Sequence, residues 1–321
     1  MIRQYLLIND RKFYPPLQRS LEARGLKVIR DNWAPDISQL NEMLACFVNF
    51  YDCLKHPLRV WRLHRRLRHF GIPLVAWNRD APHYLNRKLW RLDLLDRARL
   101  LDIYATHTLI DTSRQFAKTV LYLPNGVDDG LYSIKGNIDD TMKRLRRPEQ
   151  YQWDVSFFGA MDGSRYKEMQ PRETFFSALR ERLSQKNIRF LFREASGMSI
   201  DEQIALIQTS RISLNFGASC EYGAPVASGL PERCYGIPAC GGFLLCDRRT
   251  HARDDFTPGE NWAEFDGIDD CVEKIEYWLA HFSAARDLAE RCHHHVMAHH
   301  TYRHRAAALH EALLAWHKNT E

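Results

Sequence analysis

The sequence predicts an α/β fold made of two Rossmann-like, doubly wound domains, and three observations carry that prediction. The chain has 321 residues, enough for two domains of ordinary size. Short apolar runs alternate with amphipathic stretches, as in parallel strands joined by helices. A unit in the second half, Ser228 to Asp247, reads as a helix, a glycine pair and a buried strand.

In the first half, Tyr5-Leu-Leu-Ile gives the first strand. A helix over 16–24 follows, Gly25 stops it, and Leu26-Lys-Val-Ile resumes as strand. Ala45-Cys-Phe-Val-Asn-Phe is the next buried strand, followed by a helix over 56–69. Ile72-Pro-Leu-Val-Ala-Trp, Asp102-Ile-Tyr-Ala-Thr and Thr119-Val-Leu-Tyr-Leu complete a parallel sheet. Gly-x-Gly-x-x-Gly does not occur, which argues against a tight dinucleotide site. Ligands on such sheets bind beyond the carboxyl ends of the strands. That rule selects Asp10, Asp80, His83 and His107.

Composition narrows the function classes. Hydrophobic residues make up 45% of the chain, so real cores can form. No apolar run approaches the roughly 20 residues of a membrane span, and the first apolar segment is short for a secretory signal. A cytoplasmic protein is expected. The eight cysteines include no Cys-x-x-Cys pair and read as buried free thiols. Residues 1–150 hold 26 Lys and Arg against 16 Asp and Glu, although the whole chain carries only +5. A basic first half suits an acidic acceptor or peripheral contact with an anionic membrane. Solvated helix faces are the plain alternative. The Arg-rich helix over 56–69 with Trp61 has the same two readings. Nucleic acid is disfavoured, because no recognition motif accompanies the charge.

Residues 135–152 are polar, charged and without strong periodicity, and are assigned as an interdomain linker. Domains of 1–134 and 153–300 follow, with a last helix in 301–321 crossing back to the first. Trp153-Asp-Val-Ser-Phe-Phe opens the second sheet and Gly159 ends that strand. Arg172 starts a helix, where an ion pair with Glu168 or Asp162 is the structural alternative to a binding role. Ile188-Arg-Phe-Leu-Phe and Ile212-Ser-Leu-Asn-Phe are further strands. The loop over 217–229 is rich in Gly, Ser and Ala and contains Tyr222. In the 228–247 unit, Gly229 permits close backbone approach and Pro231 suits a first helical turn. Gly241 and Gly242 are expected at positive φ. Amides at the start of that helix can hold an anion; an ordinary helix–Gly–strand unit is the other reading. His295 and His299 have i,i+4 ligand spacing, but no third ligand lies nearby and no metal is assigned.

The run Arg233-x-Tyr-x-x-Pro-Ala-Cys-Gly-Gly-Phe-Leu-Leu resembles the C-terminal domain of GT-B glycosyltransferases, in the branch similar to spore-maturation-type enzymes. Phe256-Thr-Pro-Gly-Glu, the helix beginning Asp269-Asp-Cys and His300-Thr-Tyr-Arg-His-Arg follow in the same order. Trp77-Asn-Arg-Asp-Ala-Pro and Tyr122-Leu-Pro-Asn-Gly-Val-Asp are similar to segments of the first domain. The resemblance implies two domains facing a cleft, a nucleotide-sugar donor on the second and a hydroxyl acceptor (glycan, lipid-linked or other) on the first. No cofactor beyond the co-substrate is expected, and no metal, since arginines and helix amides can take the diphosphate charge and no Asp-x-Asp triplet is present to hold a cation.

By that resemblance Gly159, Arg172 and Arg233 face the donor diphosphate, and Arg193 lies at the nucleotide base. From their loop and helix-start positions Tyr222, Gly229 and Glu232 are added to the donor side, and the strand-end rule puts Asp10, His83 and His107 on the acceptor side. Asp80 is the candidate general base, with an Asx turn as its structural alternative. One departure stands out: the paired glutamates of many retaining GT-B enzymes fall on Ser228 and Gly236 here. A catalytically silent binding module and a sugar-nucleotide epimerase therefore stay open beside a glycosyltransferase.

Overall fold

The computed structural model describes residues 3–9, 13–30, 33, 35, 40–79, 89–109, 115–164, 169–217 and 228–319. The chain divides into two compact units, one of Met1–Asn125 with Tyr302–Glu321 and one of Gly126–Thr301.

The first unit is built on strands β1 (Tyr5–Ile8), β2 (Lys27–Arg30), β3 (Met43–Phe47), β4 (Leu74–Asn78), β5 (Leu101–Thr106) and β6 (Ala117–Tyr122). They form one parallel sheet in the order β2-β1-β3-β4-β5-β6. Strands β1, β3, β4 and β5 are buried and largely apolar on both faces, so helices cover both. Three helices bury their inner stripes against Leu7, Cys46, Leu74 and Leu101: α2 (Phe50–Lys55), α3 (Pro57–Arg68) and α4 (Leu89–Ala98). The opposite face, Leu6, Phe47, Val75 and Ile103, is covered by α1 (Pro15–Glu22) and by the chain's last helix, Tyr302–Lys318. Asn49 caps α2 by accepting from the Tyr51 amide.

The second unit carries β7 (Trp153–Phe158), β8 (Phe190–Arg193), β9 (Ser210–Asn215), β10 (Leu244–Asp247) and β11 (Ala263–Phe265), all parallel, in the order β11-β10-β9-β7-β8. Before it, the stretch read as a linker holds helix α5 (Ile138–Leu145), capped by Asn137, and belongs to this unit. Met142, Leu145, Ile134 and Tyr151 bury together there. Its helical period of two buried positions is too short to stand out in sequence.

Helix α6 (Gln170–Gln185) lays Phe175, Phe176, Leu179 and Leu183 on one sheet face. Helix α7 (Ile200–Gln208), closed by the Ser199/Glu202 capping box, and α8 (Arg233–Ala239) lie on the other. A short α9 (Ala252–Asp255), α10 (Gly267–Ala280) and α11 (Phe282–His299) follow, and the last helix is α12 (Tyr302–Lys318). Among the described residues no helix is long and apolar enough to cross a membrane.

The glycine pair divides its work differently from expectation. Gly241 has φ +80° and a Cβ there would sit 2.8 Å from Leu145 Cδ1. Gly242 is not at positive φ; its reason is space, since a Cβ would meet Ile207 Cγ2 at 2.5 Å. Cys46, Cys53, Cys234, Cys240, Cys246, Cys271 and Cys292 are buried free thiols. Cys220 lies outside the described residues.

Candidate functional site

In both sheets the chain reverses its winding direction beside the first strand, between β1 and β3 and between β7 and β9. Connecting helices leave such a point on opposite faces, which opens a crevice beyond the carboxyl ends of the two strands. In the second unit Gly159 follows β7 and Gly217 lies two residues beyond β9, so both fall at that point.

Arg233, at the first position of α8, reaches this edge. Its Nη1 donates to the Phe158 carbonyl oxygen at 3.0 Å, and its guanidinium lies 4.8 Å from the Phe157 ring centroid. Withdrawal from water pulls its pKa below the ordinary arginine value, yet the group stays charged. The Asp247 charge works against that pull, although its ion pair is with Arg249. Gly159 makes the placement possible. A Cβ there would lie 2.5 Å from Arg233 Nη1 and 2.8 Å from Phe157 Cζ.

Arg172 lies at the same edge, held by backbone carbonyls. It is the third residue of α6 rather than the first, and it is buried. Nε donates to Phe216 O at 2.9 Å, Nη1 to Ala160 O at 2.8 Å and Nη2 to Gly217 O at 2.8 Å. One planar fork thus ties the segment after β7 to the segment after β9. Of the two acidic residues considered as its partners, Asp162 accepts from Ser164 and Glu168 lies outside the described residues.

Beside it sits a buried polar group that sequence reasoning missed. Asp247, at the end of β10, accepts from the Gly217 amide at 2.9 Å, from Asn215 Nδ2 at 2.7 Å and from Arg249 Nη1 at 2.8 Å. Arg249 is fully buried and donates through Nε to Gly229 O at 2.6 Å. Gly217 and Gly229, the two ends of the Gly/Ser/Ala-rich loop, are therefore held by one ion pair. The signal available in sequence was Asp-Arg-Arg directly after a buried strand, charge where an apolar run ends.

The other donor-side candidates are placed as follows. Arg193 closes β8, its carbonyl accepts from the Gly159 amide at 3.1 Å, and its exposed side chain pairs with Glu202 at 3.6 Å. Glu232 precedes α8 and its carbonyl accepts from Gly236 N at 2.9 Å. Its charge adds to burial in raising the Tyr132 pKa. Tyr222 lies outside the described residues. Ser228 is buried and its carbonyl accepts from His251 N at 3.0 Å.

In the first unit, Asn9, Asn78, Thr106, His107 and Thr108 are buried polar residues at or just beyond the carboxyl ends of β1, β4 and β5. The His107 amide donates to Asn78 O at 3.3 Å, and Asn78 Nδ2 to the Tyr104 hydroxyl at 3.2 Å. Asp10, Asp80 and His83 lie outside the described residues.

The histidine cluster packs. His293 Nδ1 meets Pro238 O at 3.0 Å, and His295 and His300 both meet Asp255 O through Nε2, at 2.7 and 3.0 Å. Among the described residues no group of three or more His, Cys, Asp or Glu side chains is arranged to hold a metal ion. Arg305 clamps the end of the first unit's chain, donating to Pro124 O and Asn125 O at 3.1 Å each.

Comparison with known proteins gives the same frame. A family described as glycosyl transferase-like matches residues 145–311. A search of curated proteins finds no match. Among solved structures, sucrose-phosphate synthase from Thermosynechococcus elongatus superposes with a TM-score of 0.61 at 13% identity, over 98% of this chain and 100% of that one. HepE of Anabaena, solved with UDP, gives 0.60 at 12% over 97% and 100%. A UDP-forming trehalose-phosphate synthase from Burkholderia xenovorans gives 0.59 at 12% over 99% of each. These proteins share the two-sheet GT-B fold.

Proposed function

The chain belongs to the glycosyl transferase-like family, and we propose that it moves a sugar from a nucleotide-sugar donor to a hydroxyl acceptor, with the donor diphosphate held against Arg233. One observation supports this most: a half-buried guanidinium at the switch point of the second sheet that donates to the Phe158 carbonyl, while the nearby Asp247 carboxylate is ion-paired with Arg249. Such a cation is stabilised by an anion. Gly159 keeps that place open to a close approach. Arg172 and the Asp247–Arg249 pair fix the loops around it.

In the reaction the acceptor oxygen bonds to the anomeric carbon while the bond from that carbon to the diphosphate oxygen breaks. The nucleoside diphosphate leaves with the electron pair, and the Arg233 charge stabilises it in the transition state. The acceptor proton passes to a base, for which Asp80 remains the candidate. Because Arg233 carries the charge at the leaving group, the reading calls for no resident metal. The acceptor is assigned to the first unit, beyond β4 and β5 where His107 stands.

Ser228 and Gly236, where a sugar-gripping carboxylate is expected by resemblance, favour one second reading, a module that binds a nucleotide sugar without transferring it. The test is a thermal-shift panel of UDP, GDP, dTDP and CMP with and without their sugars, on the native chain and on Arg233→Ala. At a hundredfold excess over Kd a ligand adds about 2.7 kcal/mol, which is easily seen. One nucleotide should stabilise the native chain and lose about 10- to 100-fold in affinity in the variant. No shift with any of them, or an equal shift in both proteins, refutes the reading. Product analysis with the nucleotide sugar that binds separates transfer from silent binding.

A further inference from the structure

We propose that the outer face of helices α3 and α4 docks the first unit on an anionic membrane surface. Helix α3 buries Val60, Leu63, His64 and Leu67. His64 Nε2 lies 3.0 Å from Asp102 Oδ2 on β5, which fixes the helix on the sheet. Turned outward at i, i+3, i+4 and i+7 are Leu58, Trp61, Arg62 and Arg65, all exposed. Helix α4 buries Leu92 and Leu95 and presents Trp90, Leu94 and Arg97 with the same spacing logic. Helix α2 touches both, and all three cover one face of the sheet, so these outward stripes belong to one layer.

Charge and apolar surface coincide on that layer. The chain has eight tryptophans, and the two that are exposed, Trp61 at 43% and Trp90 at 62%, are both here. Leu58 is 71% and Leu94 55% exposed. Between Asp52 and Asp80 the sequence has no Asp or Glu. Helix α4 carries two carboxylates, the half-buried Asp93 and Asp96, and Asp96 is occupied by the Gln115 and Phe116 amides, each at 2.9 Å. The arginines of α3, with no carboxylate on their own helix, attract phosphate. Interleaved Trp and Leu then decide which phosphate, because rings and aliphatic chains gain nothing beside a nucleic-acid backbone. In a bilayer they enter the headgroup boundary while arginine stems reach the lipid phosphates. The contact is peripheral, and the donor reading of the second unit neither requires it nor depends on it.

The experiment is flotation of the full chain with vesicles of phosphatidylcholine and with vesicles that also contain phosphatidylglycerol. Binding is expected only to the second kind and is expected to fall with added salt. The pair Arg62→Ala and Arg65→Ala should weaken it about thirtyfold, since each surface arginine is worth about fivefold. Tryptophan fluorescence should be quenched by brominated phosphatidylglycerol in the native chain and spared in the pair Trp61→Ser and Trp90→Ser. All four positions are exposed, and thermal melting checks that the variants fold. Failure to float, equal binding to neutral vesicles, or tighter binding to a DNA duplex than to the anionic vesicles overturns the proposal.

Discussion

Gly159→Ala tests the site with the smallest possible change. The new Cβ would lie 2.5 and 2.9 Å from Arg233 Nη1 and Nη2, and 2.8 Å from Phe157 Cζ. Ordinary contact begins near 3.4 Å, so the guanidinium must withdraw by about 1 Å, beyond what its 3.0 Å bond to Phe158 O tolerates. Phe157 is buried and gives less readily; crowding it costs about 1–3 kcal/mol of stability. The effect on ligand is separable from that cost. Losing one charge-assisted bond to phosphate weakens binding by about 1.5–3 kcal/mol, or roughly 10- to 150-fold. The assay is calorimetric titration of the nucleotide that binds in the panel, on the native chain, Gly159→Ala, Arg233→Ala and the double variant. If Gly159 acts by making room for Arg233, its substitution changes little once Arg233 is gone, and the coupling energy equals most of the single effect. Native affinity in Gly159→Ala, or an undiminished loss in the Arg233→Ala background, would refute the reasoning.

Two further outcomes are expected. Asp247→Ala strands the fully buried Arg249 and frees the Gly217 amide, so denaturant unfolding should show a loss of about 3–5 kcal/mol; a change below ~1 kcal/mol would mean the pair is not buried as described. Burial holds the His293 pKa below its ordinary 6.5, so below about that pH the unfolded chain binds a proton that the native state does not. Stability should therefore rise with pH through this window and be lost as pH falls through it, by up to about 1.4 kcal/mol per unit for one group. Unfolding free energies at about pH 5 and pH 7.5 should show a flatter dependence in His293→Gln than in the native chain.

Much of the site could be read locally. Arg233 at a helix start and Gly159 at a strand end follow from composition over a few residues, because helix and strand ends are marked by Gly, Pro and the close of an apolar run. Arg172 shows the limit of that reading. Its type and position suggest a phosphate contact, while its bonds to the Ala160, Phe216 and Gly217 carbonyls depend on loops 12 to 45 residues away in sequence, which local composition does not record. Gly242 teaches the same lesson in reverse. Its neighbour Gly241 needs a left-handed backbone, which local sequence signals, whereas Gly242 needs space against Ile207.

By itself the sequence determined the class of fold, two parallel sheets wound with helices, because the alternation of short apolar runs with amphipathic helical patterns is a local property. It also determined where a basic, aromatic helix would lie. Only the tertiary structure decided which charges are spent and which remain. The Asp247–Arg249 pair joins β10 to both ends of a loop, and Asp102 of β5 engages His64 of α3. The hold of Asp247 on Gly217, of Arg249 on Gly229 and of Asp102 on His64 spans 20 to 38 residues, and strand order sets it through contacts that no spacing along the chain records. The same layering places the outward stripes of α3 and α4 in one layer, since both helices must bury Leu63, Leu67, Leu92 and Leu95 on one side of the sheet.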